Sequence, residues 1–376
     1  MSSIKEITDI ARLDAYRSTW RELLEQTPGA SFFQSLSWLE IYWKHFGKGK
    51  SLRVLIVEED LRPVGILPFI VRWEPTRVGS MRMLTYPLDN WGSFYGPIGP
   101  RPEKTLLAGL EHLRQSPRDW DFLEFRWSRK KGPADSPSFD TFSYTSEALQ
   151  DAGMKAYPSV WDKTAVGDLS QGWEKYRDSR KGVWRRRLHQ AEAKLERQGT
   201  VEYLRYRPEP GNAGLEENRF DFFAECMALA EKSWQATASD GTTLCHPSVR
   251  PFLQELHAAA VAEGAVDINL LLLDGRPAAF IYGYHYKGYV FGLRRGFDAD
   301  LSRTGVGNVL LWHTLRDGTE RGDSIYDMGP GSLESKRHFL THLTPIYRHS
   351  HFPNGNLRTQ ILRMSRWWKS RQLAAK

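Results

Sequence analysis

The sequence predicts a mixed α/β protein made of two similar halves, and three observations predict it. First, a strand–turn–strand pattern occurs twice, at 52–72 (LRVLIVEEDLRPVGILPFIVR) and at 268–285 (INLLLLDGRPAAFIYGYH). Arg62-Pro63-Val64-Gly65 falls where Arg276-Pro277-Ala278-Ala279 falls, 214 positions later. Second, each pattern leads to a helix and then a strand: Pro102–Gln115 then Trp120–Arg126, and Asn308–Arg321 then Ile325–Met328. Third, the helix of the second half opens on a glycine-spaced loop, Arg303-Thr304-Gly305-Val306-Gly307-Asn308.

Each hairpin is expected because apolar runs flank a short charged or glycine-bearing turn, Glu59-Asp60 in one case and Asp274-Gly275 in the other. Between the repeats, Phe220, Phe223, Met227, Ala230 and Trp234 recur at helical spacing and predict an apolar stripe facing a core. Val249, Leu253, Leu256 and Ala260 do the same behind Ser248, which reads as a cap. The polar stretch Ala236–His246, with Ser239-Asp240-Gly241 at its centre, reads as a loop able to cover a site, and Asn212–Gly214 as a surface loop. Ile361–Leu373 has the pattern of a short helix carrying Trp367 and Trp368 among arginines. These limits divide the chain into 1–160, 161–350 and a basic, tryptophan-bearing tail at 351–376.

Composition narrows the class. The chain has 376 residues, 40% of them hydrophobic, enough for two ordinary cores. Only Cys226 and Cys245 occur, so neither a disulfide framework nor a cysteine-rich metal site is expected, and no metal cofactor is assigned. No apolar run is long enough to span a bilayer and Met1–Leu24 lacks a secretion-type apolar core, so the expected compartment is the cytoplasm. Net charge is +7, yet Ser335–Lys376 holds nine Lys/Arg and no acid, leaving −2 for the rest. A second basic stretch, Lys175–Arg197, centres on Arg185-Arg186-Arg187. Such patches attract phosphates, nucleic acid or acidic headgroups, and a solvated helix face is the plain alternative. The basic tail is a candidate for peripheral contact at the inner face of a membrane.

The chemistry is expected in the second half. A glycine-spaced turn into a helix leaves backbone N–H groups unpaired where the helix dipole favours negative charge, which suits a phosphate or pyrophosphate. In the first half, Pro97, Pro100 and Pro102 precede the helix and remove such donors.

The order hairpin, Arg-x-Gly-x-Gly loop, helix, and strand ending in Asp-x-Gly resembles the GNAT superfamily of acyl-CoA acyltransferases. Tyr326-Asp327-Met328-Gly329 followed by Ser335-Lys336-Arg337 makes it similar, more narrowly, to the CelD/BcsL-like group associated with cellulose biosynthesis. The resemblance implies tandem GNAT-like halves, each a mixed, mostly antiparallel sheet flanked by helices, the first without a phosphate loop. It implies acetyl-CoA or another acyl-CoA as co-substrate, with a small-molecule or glycan-precursor acceptor. Residues Arg303, Thr304, Gly305, Val306, Gly307 and Asn308 would hold the pyrophosphate, and Phe291, Gly292 and Leu293 would supply donors to the thioester. Asp327, His285, Glu231 and Lys336 are the candidates for acid–base or substrate roles. Each also has a structural alternative: a bonded carboxylate, a packed imidazole, an exposed acid, a solvated lysine. The FemAB-like group, which shares the tandem layout and takes its acyl group from charged tRNA, is the alternative resemblance. A non-catalytic envelope-binding module is the third reading.

Overall fold

The computed structural model describes residues 2–89, 91–131, 140–209, 219–238 and 241–374. In chain order the strands are β1 (Ser2–Ile7), β2 (Ser51–Glu59), β3 (Arg62–Thr76), β4 (Gly79–Thr85), β5 (Phe122–Arg129), β6 (Tyr157–Asp168), β7 (Val201–Tyr206), β8 (Val266–Leu273), β9 (Arg276–Tyr286), β10 (Tyr289–Phe297), β11 (Ile325–Asp327) and β12 (His342–His351). The α-helices are α1 (Arg17–Gln26), α2 (Leu36–Phe46), α3 (Pro102–Gln115), α4 (Thr141–Asp151), α5 (Trp173–Asp178), α6 (Gly182–Glu196), α7 (Phe220–Glu231), α8 (Arg250–Ala262), α9 (Val306–Glu320) and α10 (Leu357–Ala374). They fall into two units: Met1–Lys163 with Pro345–Lys376, and Thr164–Thr344. Residues 351–376 thus belong with the first part of the chain.

Unit 1 orders its strands β1-β2-β3-β4-β5-β12, antiparallel except for the parallel pair β4–β5. Leu55, Phe69, Phe125, Trp20 and Trp38 are among its buried apolar residues. Glu124 of β5 is fully buried among them. Arg126 donates to one oxygen at 2.6 Å, and Arg366 of α10 and Ser350 donate to the other, Ser350 at 3.1 Å. Burial alone would raise this carboxyl, yet Arg366, Arg126 and Arg348 hold it down at about 2.

Unit 2 orders its strands β6-β11-β10-β9-β8-β7, antiparallel except for the parallel pair β10–β11. Val306, Val309, Leu310 and Leu315 of α9 pack with Leu188 and Leu195 of α6 and with Ile281, Val290 and Tyr326 of the sheet. The buried Asp267 is held well below the usual carboxylate range; burial opposes this, and Arg205 and Arg207 overcome it through bonds of 2.8–3.0 Å.

The repeat expected from the sequence is present in detail. The β2–β3 and β8–β9 hairpins turn at left-handed residues 214 positions apart, Asp60-Leu61 and Asp274-Gly275. Each carries a register shift at the equivalent place, Val57/Glu58 and Leu271/Leu272. In each unit a three-strand antiparallel meander leads through a helix, α3 or α9, to a strand parallel with the third.

Four local expectations need correction. The strand expected at Trp120–Arg126 runs from Phe122 to Arg129. Trp234 lies beyond α7 in a 3-10 turn and is 59% exposed, because α7 ends at Glu231 and its stripe stops at Ala230. Phe220, at the first turn, is also exposed. Ser248 does not cap α8: Val249 holds that position with no side-chain bond, while Ser248 Oγ lies 2.7 Å from His246 Nδ1. The Asn212–Gly214 loop and Ser239-Asp240 lie outside the described residues.

A carboxyl held at about 2 in the fold contributes stability that is complete above its ordinary 4.5 and is lost as pH falls towards 2. Glu124 should therefore cost the wild type about 2 kcal/mol between pH 5 and pH 3, a loss that Glu124→Gln lacks. Urea unfolding of both proteins at the two pH values checks this, and parallel pH slopes would refute it.

Candidate functional site

The site is built where two parallel strands part. β10 and β11 pair only through Tyr289–Ile325, Val290–Tyr326 and Phe291–Asp327. Beyond that point β10 continues to Phe297, whereas the chain after Asp327 turns at the left-handed Gly329 and Gly331. The divergence begins at a bulge: Gly292 opposes Gly283, the next pair is Arg294 with Tyr282, and Leu293 is the inserted residue. A bulge bends its strand and releases one peptide unit from the ladder. Arg294 Nη1 donates to the Leu293 carbonyl at 2.6 Å, and Leu293 has no Cα partner on β9.

Two glycines make this close approach feasible. A Cβ at Gly283 would lie 2.3 Å from the Phe291 carbonyl oxygen. One at Gly292 would lie 3.0 Å from Tyr326 Oη and 3.2 Å from the Asp327 carbonyl oxygen. Burial raises the Tyr326 phenol well above its ordinary value, so it keeps its proton at neutral pH.

The glycine loop stands at the head of α9. Ala299–Thr304 forms a 3-10 turn, Gly305 is left-handed (φ 79°), and the α-helix starts at Val306. Part of the donor set is consumed locally: Val306 N–H donates to Thr304 Oγ1 at 3.2 Å, and Asn308 and Val309 N–H donate to the Gly305 carbonyl. The Gly305 and Gly307 amides make no hydrogen bond among the described residues. Both glycines are also demanded by packing, since a Cβ at Gly305 would meet Ala191 of α6 at 3.3 Å and one at Gly307 would meet Phe297 at 2.9 Å. Lys194 of α6 donates to the Arg303 carbonyl at 3.3 Å, so the basic helix packs against this loop. At its other end Trp184 stacks on His338 with centroids 4.1 Å apart. Burial, then Arg337, Arg187 and Lys181, push the His338 pKa down, which brings three cations together at that spot.

Of the expected acid–base residues, Asp327 and Lys336 meet at the splay, and His285 and Glu231 do not. Asp327 is 3% exposed and its oxygens accept from Thr164 Oγ1, from Gly329 N–H at 2.7 Å and from Tyr289 Oη at 3.4 Å. Lys336 is buried, donating to the carbonyls of Gly329 and Pro330 at 2.8 and 2.6 Å, and so holds the turn that follows β11. His285 sits opposite Val290, on the paired side of the splay. Burial, then Arg207, push its pKa down to about 4, so the ring is neutral at pH 7. Glu231 is exposed at the end of α7 and pairs with Arg250 at 2.6 Å. Sequence reasoning gave no role to Tyr326 or Thr164, and took Arg295, with Arg294, as an arginine flanking the glycine loop. Arg295 Nη2 donates to the Ser335 carbonyl at 3.0 Å, and burial lowers its pKa. Tyr326 comes beside Gly292 through the pairing of β11 with β10, and Thr164 reaches Asp327 through the pairing of β6 with β11.

The meander, the bulged strand, the glycine turn into a helix and the parted parallel pair agree with a family comparison. Residues 183–337 match the family model described as an acetyltransferase (GNAT) domain. That match lies within unit 2 and makes this part of the chain similar to a GNAT acetyltransferase domain. The chain as a whole is similar in fold to the crystal structure of FemX, with a TM-score of 0.60 at 11% identity over 95% of this chain and 100% of that one. It is similar to L-PGS from Bacillus licheniformis, with a TM-score of 0.52 at 13% identity over 96% and 98%. It is also similar to the C-terminal DUF2156 domain of a putative lysylphosphatidylglycerol synthetase from Agrobacterium fabrum, with a TM-score of 0.51 at 12% identity over 94% and 95%. At these identities the likeness is one of fold. No curated protein matches the chain.

Replacing Lys336 with Met leaves the Gly329 and Pro330 carbonyls without their ammonium partner, at a cost of about 1–3 kcal/mol. The expected result is a lower melting temperature and faster hydrogen exchange across residues 329–340. Unchanged exchange there would mean that Lys336 does not hold the turn.

Proposed function

We propose that this protein is an acyltransferase that takes an acyl group, acetyl in our reading, from coenzyme A and passes it to an amine or hydroxyl. The acceptor we propose is a small molecule or an envelope-polysaccharide precursor, in keeping with the CelD/BcsL-like resemblance. The observation that carries this reading is the parting of β10 from β11 at the Leu293 bulge, with the glycine turn of α9 following in the same strand–loop–helix run. A slot between parted strands offers backbone donors on its edge to an extended pantetheine arm, as a missing strand would.

In this reading the Gly305 and Gly307 amides and the α9 dipole hold the pyrophosphate, with Arg303 beside them. Leu293 N–H stabilises charge developing on the thioester oxygen. As the C–S bond breaks, Tyr326 hands its proton to the departing thiolate and regains one from the acceptor atom, which must lose a proton on acylation, so that no charge is left on the buried phenol. Asp327 shapes the turn, its oxygens being bonded already. No strong base is required of the protein where an acceptor enters as a neutral amine, because positioning supplies much of the rate. We assign the chemistry to 161–350 and give 1–160 a supporting role, since its prolines at 97, 100 and 102 cannot donate.

A second reading keeps the fold and changes the donor to an aminoacyl-tRNA. What favours it is the group Lys181, Arg187 and Arg337 around His338. Lys181 and Arg187 make no ion pair among the described residues and are exposed, which suits a phosphodiester backbone.

Calorimetry with acetyl-CoA, coenzyme A and uncharged tRNA separates the two. Arg303→Ala is the informative variant: Arg303 is exposed beside the glycine turn, whereas a Cβ at Gly307 would meet Phe297 at 2.9 Å and φ 79° disfavours any side chain at Gly305. Acetyl-CoA should bind the wild type and bind the variant at least about tenfold more weakly, with a preserved circular dichroism spectrum. Binding of tRNA with none of acetyl-CoA would reject the first reading. On a soluble acceptor, Tyr326→Phe should lower kcat about a hundredfold while donor Kd stays put. Unchanged turnover would remove Tyr326 from the mechanism.

A further inference from the structure

We propose that α10 docks the protein on a bilayer surface rich in anionic headgroups. The inward side of this helix is already spent on unit 1. Thr359 and Leu362 are buried, Arg358 donates to the carbonyls of Val78 and Ser80 at 2.9 and 3.0 Å, Arg363 donates to Tyr157 Oη at 2.8 Å, and Arg366 donates to Glu124. These bonds fix the rotation of the helix about its axis. Its opposite face therefore points outward, and that face is apolar. Leu357 (75% exposed), Ile361 (40%), Met364 (52%) and Trp368 (65%) recur at steps of four, three and four, the spacing of one narrow helical stripe. Trp367, half-exposed, stands beside it.

Charge chooses the occupant. The helix sequence holds five Lys/Arg and no acid, and no acid occurs anywhere in Ser335–Lys376. A second copy seated on this stripe about a two-fold axis would bring the same basic helix against itself. Anionic headgroups supply the opposite charge at the rim while acyl chains take the stripe, and tryptophan favours that boundary. No helix among the described residues is long and apolar enough to cross a membrane, so α10 lies in the interface plane.

The test uses the full chain and vesicles of phosphatidylcholine with about 30% phosphatidylglycerol, against vesicles of phosphatidylcholine alone. The protein should co-sediment with the anionic vesicles, with a blue-shifted tryptophan emission, and remain in the supernatant with the neutral ones. The variant Ile361→Ser/Met364→Ser/Trp368→Ser spares every inward bond and should keep its melting temperature while partitioning about tenfold less. Equal partitioning of variant and wild type, or a wild type that ignores anionic vesicles, overturns the proposal. So does a wild-type dimer in sedimentation velocity that the variant converts to monomer, because a second copy would then cover the stripe. Turnover on a soluble acceptor should be the same in both proteins, so this result is independent of the acyltransferase reading.

Discussion

The geometry of unit 2 depends on one close approach. β9 and β10 come together at Gly283 and Gly292, where neither backbone carries a Cβ to keep the Phe291 carbonyl and Tyr326 ring away. The extra residue Leu293 then turns β10 out of register with β9, and the parallel pairing with β11 ends after three residues. A regular ladder here would keep β10 and β11 side by side and bury every amide in pairing. The bulge instead lets the two parallel strands part after Phe291 and Asp327, which is the feature the proposed donor site rests on.

Buried charges brace the frame around that slot. In unit 2, Arg205 and Arg207 hold Asp267 and Asp323 in a network that ties β7, β8 and the end of α9 together. Desolvation works against every member, so the network holds only because each charge is met by several short bonds. His285 lies beside this network and is kept neutral chiefly by its burial, with Arg207 adding to the effect. The same economy applies at the splay, where Asp327 and Lys336 are consumed by bonds to the turn that follows β11. The polar side chains nearest the slot position backbone; the groups left to act on a ligand are amides, a phenol and arginines.

The two units show how one motif serves two ends. The β2–β3 and β8–β9 hairpins agree down to their left-handed turn residues and register shifts. They diverge in the segment ahead of the following helix. In unit 1 that segment is proline-rich and Ile98 bridges to Ile66 of β3. In unit 2 it is a short glycine turn. Proline lacks the donor that a phosphate cradle uses, so this difference of a few residues is what the proposed division of roles between the units rests on.

Hairpins, helices, the repeat and the glycine turn were legible in the sequence because each is written in local spacing: alternation, a period of 3.6, or a residue able to adopt positive φ. The sequence by itself also determined which segment ahead of a helix keeps its backbone donors, since proline and glycine act on their own peptide units. What tertiary structure alone decided was which side chains remain available. Thr164 lies 163 positions from the Asp327 it bonds, and Tyr326 reaches Gly292 only through the β10–β11 register. Trp234 has the right spacing for the core and lies outside it because α7 stops one turn short. Spacing along the chain fixes which face a residue occupies; which partner waits on that face depends on strands brought together from distant positions, and no local pattern encodes that.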